Sequence, residues 1–295
     1  MAFTISVDKV EGEVLKLIEK FISLIPYKAR LAMYHIPFIN VGRAILSRIM
    51  PSTTLVRITG GPLKGFQMWI DLKCQKYYWL GTWEPAVQET LGRVIQPGWV
   101  CYDIGAHIGY FSLMMAQLTG SNGKVFAFEP DPDNFSLLSK HIHLNGFNHI
   151  IEAVPFAVSS SSGKATFQKG SSSSTGKLSR SSDREGLEVE MVSLDDFVYR
   201  MGYPQPDFVK IDVEGFEGEV LNGASRVLAQ SRPTVLCEIH NLQAAKDVLA
   251  RFKEAGYEVL NIEGDFEAVN KPEFGNHWLA FHRGSQGELR RRFFR

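Results

Sequence analysis

Between Val100 and His282 the sequence alternates short apolar runs with segments whose apolar residues recur at helical spacing. Parallel strands need a crossover between them, usually a helix, so this alternation predicts an α/β fold with helices on both faces of one sheet. We interpret seven runs as strands: "WVCYDI", "KVFAFE", "IIEAVPFAV", "DFVKIDV", "TVLCEIH", "YEVLNI" and "HWLAFH". We interpret four segments as helices: 109–118, 133–144, 216–222 and 242–255.

The regions before this alternation predict a different organisation. Apolar residues at helical spacing between residues 8 and 50 indicate a helical lead-in. Residues 55–72 predict short strands broken by "GGP", and a helix is expected from Pro85, because proline is tolerated in a first helical turn. The predicted domains are an N-terminal extension (1–54), a main domain (55–285) and a basic tail (286–295).

One insertion, at about residues 159–190, interrupts the alternation of strands and helices. Its flanks, "KATFQ" and "LEVEMV", alternate apolar and polar residues as the two arms of a hairpin do. The middle contains the serine run 171–174, and we predict a mobile loop there. The main domain is therefore expected to carry a serine-rich hairpin insertion.

Composition excludes several classes of protein. The chain has 32 basic and 32 acidic residues, so its bulk charge does not indicate nucleic-acid binding. Its three cysteines form no C-x-x-C pair, which argues against a disulfide framework or a structural zinc site. We see neither a signal peptide pattern nor an uninterrupted apolar stretch long enough to span a membrane. The predicted location is the cytoplasm.

Two segments leave the question of partners open. The N-terminal helices are expected to pack on the main domain or on a second copy of the chain; the alternative is peripheral contact with a membrane, since aromatic and basic residues mix there. The final "RRRFFR" is predicted as a solvated tail, with an anchor for an anionic surface as the alternative. A homodimer and a membrane-associated protein therefore both remain open.

The stretch "VCYDIGAHIGYFSLMMAQ" carries the first chemical signal. Gly105 and Gly109 lie where the first strand of the alternation turns into a helix, and ligands of open parallel sheets bind at such turns. A dinucleotide fingerprint would need glycine at the positions of His107 and Tyr110, and the phosphate-binding G-K-[ST] is also missing. The turn is therefore not expected to bind a dinucleotide or a nucleoside triphosphate.

The acids around this turn indicate a cationic ligand. Asp103 precedes the glycines, and its negative charge would repel phosphate but favour an amine. S-adenosylmethionine has a cationic amine and a sulfonium, and its carboxylate could use amides at a helix start. Glu129 ends the next strand, where an acid is expected to meet ribose hydroxyls. Asn134 is expected either to cap the following helix or to contact the cofactor.

The ends of the fourth and fifth strands supply candidates for proton transfer. Asp212 and Glu214 in "KIDVEG", and Glu238 and His240 in "CEIH", are two positions apart within each pair and share a face while the strand lasts. We predict Glu214 or His240 as the base and place Asp212 nearer the cofactor. The four side chains would also suit magnesium or manganese, although we do not favour a metal. We assign no role to Lys210.

Five segments together resemble the FkbM family of S-adenosylmethionine-dependent methyltransferases. The "VSLDDF" and "KIDVEG" segments are more specific than the glycine turn alone, and the resemblance spans roughly Leu72 to His282. The matching segments are "YYWLGTWEP", "PGWVCYDIGAHIGYFSL", "VFAFEPDPDNFSLL", "VSLDDF" and "DFVKIDVEGFEGEVLNGA".

The resemblance implies a class I methyltransferase fold, which is Rossmann-like: a seven-stranded, mostly parallel sheet with one antiparallel edge strand. It also implies roles in cofactor binding. Glu129 would take the ribose, Ala157 at the end of the third strand would border the adenine, and Glu84 would line the cofactor mouth or cap a helix. The residues that would hold the methionine part are Asp103, Gly105, Ala106 and Gly109, and the predicted cofactor set also includes His107, Pro130, Asn134 and Asp212.

His107 departs from the family, which usually has asparagine at this position. Histidine still offers hydrogen bonds, but its charge would make cofactor binding sensitive to pH near its ordinary pKa of about 6.5.

The resulting hypothesis is an O-methyltransferase that acts on a hydroxyl of a sugar, a glycan or glycolipid, or a polyketide-type natural product. The cofactor would be S-adenosylmethionine, and the acceptor a small molecule, a glycan or a lipid-linked compound rather than nucleic acid. Two alternatives stay open at this point: a methyltransferase that acts on nitrogen or RNA, and a scaffold that binds the cofactor without turnover.

Overall fold

The computed structural model describes residues 53–168, 177–179, 186–263 and 266–285, together with a few positions between 20 and 29. The chain divides into two compact units, residues 1–88 and 89–295. The predicted boundary at residue 54 stays a prediction, because residues 1–52 lie almost entirely outside the described part, as does the tail 286–295.

The first unit contains the two short strands predicted before the alternation. They form the antiparallel pair β1 (Thr54–Arg57) and β2 (Gln67–Ile70), and helix α1 (Lys76–Leu80) follows. The backbone N–H of Thr59 donates to the carbonyl of Trp79 over 2.8 Å, which ties the hairpin to the end of α1. Helix α2 (Pro85–Val94) begins at the predicted proline and contains the boundary between the units.

The second unit is built on a seven-stranded sheet, as predicted. Its central strands are buried along almost their whole length, which requires cover on both faces. In chain order the strands are β3 (Val100–Ile104), β4 (Lys124–Phe128), β5 (Ile151–Val154), β10 (Phe208–Ile211), β11 (Thr234–Glu238), β12 (Tyr257–Asn261) and β13 (His277–His282). Their spatial order is β12-β13-β11-β10-β3-β4-β5.

This topology confirms the predicted fold class and refines one detail of it. Strand β13 pairs antiparallel with both β11 and β12, and the remaining neighbours pair parallel. The antiparallel strand is therefore the last one in sequence but lies one position inside the edge, which is formed by β12. The consequence is that the start of β13 reaches the same side of the sheet as the end of β11.

The crossover helices begin close to their predicted positions. Helix α4 begins behind Asp131, whose Oδ1 accepts the backbone N–H of Asp133 over 2.8 Å, and Asn241 caps α8 by accepting the N–H of Ala244 over 2.9 Å. Two short helices, α5 and α7, were not predicted. In chain order the helices are α3 (Tyr110–Thr119), α4 (Pro132–Leu144), α5 (Leu194–Tyr199), α6 (Glu217–Asn222), α7 (Ser225–Gln230) and α8 (Leu242–Glu254).

The insertion forms a second sheet in the order β6-β9-β7-β8. The predicted hairpin arms pair antiparallel, with Phe167 opposite Leu187. Of the serine-rich middle, the run 171–174 lies outside the described residues. The strands of this sheet are β6 (Ala157–Val158), β7 (Gly163–Gln168), β8 (Lys177–Ser179) and β9 (Leu187–Val192).

The prediction of one strand for "IIEAVPFAV" was wrong. Proline has no backbone N–H for a sheet, and β5 of the main sheet ends at Val154, directly before Pro155. The chain then enters the second sheet, where Ala157 pairs with Met191 and packs with Phe167 and Val189. Ala157 therefore belongs to the core of the insertion and does not end the third strand of the main sheet.

In the part of the chain that the structure describes, no helix combines the length and the apolar character that crossing a membrane would need.

Candidate functional site

The site is built around strands β3 and β10, which lie side by side where the order of the sheet reverses. Ligands of such sheets bind beyond the carboxyl ends of the strands at this point. Gly105 follows β3 with a φ of 80°, and a Cβ atom there would lie 1.8 Å from the carbonyl oxygen of Asp212. The glycine is needed because the chain after β10 packs directly against it.

Gly109 is also explained by contacts within the protein. Its φ is 91°, and a Cβ atom would lie 2.6 Å from Cδ1 of Leu138 in α4. We predicted that the two glycines let a ligand approach the turn. The structure shows that both let protein atoms approach it, and the approach of a ligand stays a prediction.

Asp103 lies buried beneath this turn, with 1% of its surface exposed. Ser112 Oγ donates to its Oδ2 over 2.6 Å, while the buried Oδ1 accepts no hydrogen bond from the described residues. Burial raises the pKa of Asp103, and the charge of Lys210 and the bond from Ser112 act against that rise. A buried acceptor of this kind fits a cationic donor from a ligand.

Lys210 was given no role in the sequence analysis, but it links the two halves of the site. Its side chain is 3% exposed, its Nζ lies 2.9 Å from Asp212 Oδ2, and the same atom lies 5.0 Å from the centroid of the Phe111 ring. Burial alone would raise the pKa of Asp212, but the adjacent ammonium outweighs it and lowers the pKa to about 2. The feature of the sequence that could have revealed its role is a lysine within a strand that is otherwise apolar and fully buried.

Glu129 joins the turn after β3 to the turn after β4. Its Oε2 accepts the backbone N–H of His107 over 2.8 Å, and its Oε1 accepts that of Asp131 over 2.9 Å. Burial raises the pKa of Glu129 to about 7 in spite of these bonds. The carboxylate thus holds the two loops together, and carboxylate oxygens are acceptors that a ribose hydroxyl could use.

His107 has the left-handed φ of 51° within the glycine turn. Burial lowers the pKa of His107 to about 4. The side chain is therefore neutral near pH 6.5, and the predicted sensitivity of cofactor binding at that pH was wrong. The predicted pH effect assumed a solvated imidazole, whereas this ring is largely shielded from solvent.

The four candidates for proton transfer come together at the ends of β10 and β11. His240 Nε2 lies 3.6 Å from Glu238 Oε1, 3.7 Å from Asp212 Oδ1 and 3.8 Å from Glu214 Oε2. Glu214 adopts a φ of 52°, which a residue other than glycine rarely takes and which is often found at functional sites. The sequence pairs predicted this cluster, although Glu214 and His240 lie in loops beyond the strands.

The opposite nitrogen of the His240 ring contacts Glu217, which the sequence analysis missed. His240 Nδ1 lies 2.6 Å from Glu217 Oε1, and Glu217 is fully buried. Burial alone would lower the pKa of His240, but this bond and the charges of Glu238 and Asp212 outweigh it and raise the pKa to about 9. The feature of the sequence that could have revealed Glu217 is the second glutamate of "VEGFE".

A second histidine reaches the same edge from β13. His277 Nε2 lies 3.4 Å from Glu238 Oε2, and His277 Nδ1 lies 2.7 Å from Glu263 Oε1. His277 was also missed, because only the antiparallel placement of β13 between β11 and β12 brings its first residue opposite Glu238.

The other predicted cofactor residues lie as follows. Ala106 donates its backbone N–H to the carbonyl of Phe128 over 2.9 Å, and Asn134 is buried at the start of α4, where Asp131 rather than Asn134 forms the cap. Pro130 is half-buried between Glu129 and Asp131. Glu84 belongs to the first unit, where its carbonyl accepts the N–H of Gln88 over 3.1 Å at the start of α2. Their roles toward a cofactor stay predictions.

One part of the cluster has a spacing that a cation could use. Donor atoms of Asp212, Glu238 and His240 all lie within 4.8 Å of one another. Lys210 already pairs with Asp212, and the raised pKa of His240 places a second positive charge among the acids. The group thus has cationic partners from the chain itself, and a metal stays the less favoured prediction.

A comparison with known families gives a match over the part of the chain that carries this site. A profile described as "Methyltransferase FkbM domain" matches residues 103–259, a little over half of the chain. Those residues include every acid of the glycine turn and of the cluster around His240.

Two curated proteins are similar to the chain. The hexuronic acid methyltransferase AglP of Haloferax volcanii is 33% identical over 156 residues, which cover 53% of this chain and 62% of that protein. The methyltransferase sdnD of Sordaria araneosa is 32% identical over a matched region that covers 41% of this chain and 58% of that protein. The chain thus spans about three fifths of the length of these relatives.

Among solved structures, a methyltransferase FkbM from Methylobacillus flagellatus KT is similar at 17% identity, with a TM-score of 0.45. The similarity covers 72% of this chain and 54% of that one.

Proposed function

Because the chain belongs to the methyltransferase FkbM domain family, we propose that it transfers a methyl group from S-adenosylmethionine to a hydroxyl oxygen of a sugar, a glycan or a related natural product. The observation that supports the proposal is that two groups of residues lie next to each other where the strand order of the sheet reverses. A buried acid with an open oxygen, Asp103, lies beneath the glycine turn, and the acidic cluster around His240 follows the adjacent strands.

The residues of the glycine turn fit the cofactor. Asp103 Oδ1 would accept from its cationic amine, and Glu129 would accept from the ribose. When bound, S-adenosylmethionine supplies the methyl group that the acceptor oxygen takes as the carbon–sulfur bond breaks. This chain's part is then to position the acceptor and to remove its proton.

We assign proton removal to His240, with Glu214 as the alternative. The ring has one nitrogen held by Glu217 and the other directed at the carboxylates of Asp212, Glu214 and Glu238. Because the pKa of His240 is raised to about 9, the reactive form is the one with a neutral ring, and these carboxylates stabilise the imidazolium that forms when its Nε2 takes the proton of the acceptor hydroxyl. The arrangement supplies a base and the acceptors that would orient a polyol beside it.

The charge of the cluster and the relatives both support a choice of acceptor class. The similarity to a hexuronic acid methyltransferase favours a sugar. The three carboxylates around His240 Nε2 would repel a carboxylate on the acceptor, so we favour a neutral sugar hydroxyl over a uronic acid.

A screen of acceptors tests the proposal. The chain is incubated with S-adenosylmethionine and, separately, with a methyl glycoside, a methyl glucuronide, an amino sugar and a short RNA, and S-adenosylhomocysteine release is measured. Mass spectrometry then locates the added CH₂ group. We expect turnover with the methyl glycoside above the glucuronide, and methylation only of nitrogen or of RNA would overturn the proposal.

Calorimetry tests the cofactor separately from the acceptor. We expect S-adenosylmethionine to bind and NAD to give no heat of binding. Binding of NAD without binding of S-adenosylmethionine would contradict the assignment of the glycine turn. Cofactor binding without turnover on any acceptor would support the scaffold alternative.

A further inference from the structure

Glu217 is the most deeply buried acid of the candidate site, with 0% of its surface exposed. A buried carboxylate is costly unless it is paired and hydrogen-bonded. Its Oε1 lies 2.6 Å from His240 Nδ1 and also accepts the backbone N–H of Gly215 over 2.8 Å. Among the described residues, Oε2 accepts no hydrogen bond.

The contacts of Glu217 set the direction of the His240 ring. A carboxylate only accepts hydrogen bonds, so Nδ1 carries the proton of this bond and Nε2 is left to face Asp212, Glu214 and Glu238. Rotation of the ring by a half-turn would put Cδ2 in the place of Nδ1 and Cε1 in the place of Nε2, and would break the bond to Glu217. The tautomer and the direction of Nε2 thus depend on one buried acid.

The backbone on both sides of this pair is packed in place. Gly215 has a φ of 100°, and a Cβ atom there would lie 2.7 Å from Asn241 Nδ2. Asn241 in turn caps helix α8 and directly follows His240. The loop that carries Glu217 and the loop that carries His240 therefore contact each other at two points, the side-chain pair and the Gly215–Asn241 contact.

We propose that Glu217 is a positioning residue that holds the His240 ring so that Nε2 faces the acceptor hydroxyl, and this rests on the proposed function. The proton of the acceptor O–H would pass to Nε2 of the neutral ring while the acceptor oxygen forms a bond to the methyl carbon; the methyl–sulfur bond breaks and its electron pair stays on sulfur. The resulting imidazolium is paired with Glu217 through Nδ1–H. Glu217 itself touches neither acceptor nor cofactor.

Two observations distinguish this role from general structural support. The Glu217 carboxylate contacts a single side chain through its Oε1 in the described contacts, and that side chain is His240. The loop that carries His240 is also held by the Asn241 cap of α8, a contact that does not involve Glu217.

A double-mutant cycle tests the proposal with the acceptor that the screen identifies. The rate constant kcat is measured for the wild type, Glu217→Ala, His240→Ala and the double variant. We expect Glu217→Ala to lower kcat at least about tenfold, and the double variant to match His240→Ala within about twofold, because a residue that acts through His240 has no effect without it. The proposal would be overturned if the fold-loss of kcat in the double variant equalled the product of the losses in the two single variants, or if kcat were unchanged in Glu217→Ala.

The matched control is Glu219→Gln, which removes one charge from the same helix, and its kcat should equal that of the wild type. Glu217→Gln guards against misfolding of Glu217→Ala, because glutamine has the same shape. The affinity for S-adenosylhomocysteine should stay within about threefold of the wild type in every variant, since Glu217 acts on the acceptor side.

A second readout does not depend on turnover. In histidine labelled with ¹⁵N, the Nδ1–H proton of His240 should give a low-field resonance, assigned by its loss in His240→Ala. We expect the resonance to disappear in Glu217→Ala and to persist in Glu219→Gln. If it persists in Glu217→Ala, the positioning role is wrong; if it disappears while the wild type methylates no acceptor, the proposed function fails and the contact stands.

Discussion

Lys210 Nζ lies 2.9 Å from Asp212 Oδ2, and this ion pair joins the side of the site that we propose for the cofactor to the side that we propose for the acceptor. Lys210 is opposite Asp103 in the β3–β10 register, while Asp212 contacts His240. One buried cation thus acts on the acid beneath the glycine turn and on the acid beside the proposed base.

Replacing Asp103 should weaken binding of S-adenosylmethionine without lowering the stability of the fold. Burial raises the pKa of Asp103, so its charge destabilises the fold above that pKa, and Asp103→Asn removes this cost. We expect equal or greater stability in urea but at least about tenfold weaker binding of S-adenosylmethionine by calorimetry, since the partner of its amine is lost. Unchanged affinity would show that Asp103 is only a structural acid. Asp133→Asn, at the exposed start of α4, is the control.

Replacing Glu129 should reduce both the stability of the fold and the affinity for the cofactor. Glu129→Ala leaves the backbone N–H groups of His107 and Asp131 without their acceptor, at about 1–3 kcal/mol of unfolding free energy for each. Cofactor affinity should fall as well, because both loops of the glycine turn depend on this carboxylate. Denaturation and calorimetry on the same samples check the prediction, and a variant of normal stability and affinity would contradict it.

The pH dependence of the rate distinguishes the two candidate bases. His240 faces Asp212, Glu214, Glu217 and Glu238, and its pKa is raised to about 9. If neutral His240 is the base, kcat/KM should rise about tenfold per pH unit from 7 and level off above 9. If Glu214 is the base, the rate should be flat there and should fall once His240 loses its proton.

The same shift predicts how stability changes with pH. The pKa of His240 is raised from its ordinary value near 6.5 to about 9, so its contribution is fully present below 6.5 and is lost as pH rises through 9. We expect the difference in unfolding free energy between wild type and His240→Ala to shrink by about 1–3 kcal/mol over that window. Urea titrations at pH 6, 8 and 10 measure it, and a constant difference would contradict the shift.

Removal of metal ions should leave the reaction intact. Lys210 and His240 already supply positive charge among Asp212, Glu214 and Glu238. After treatment with a chelator and dialysis we expect kcat to change by less than about twofold. A large loss that magnesium or manganese restores would instead identify a metal site in this cluster.

The sequence predicted the sheet well because its strands are buried runs separated by helices of regular period. It also predicted that Asp212 and His240 would meet, since parallel strands end at one side of a sheet. It failed where the chain departs from that pattern: Pro155 moves Ala157 into the second sheet, and β13 enters beside the edge and brings His277 to the site.

The burial of individual side chains was the other limit. Nothing local in the sequence shows that the His107 ring is shielded from solvent or that Glu217 is fully buried, because burial depends on chain segments that are distant in sequence. The lowered pKa of His107 and the contact of Glu217 with His240 therefore became visible only with the packing around them.

The contact between Gly105 and the carbonyl of Asp212 makes the two loops a single mechanical unit. A side chain at position 105 could not be absorbed locally, because the loop after β10 would have to shift with it. A substitution at this glycine is therefore expected to change the geometry of the turn after β3 and of the loop after β10 together.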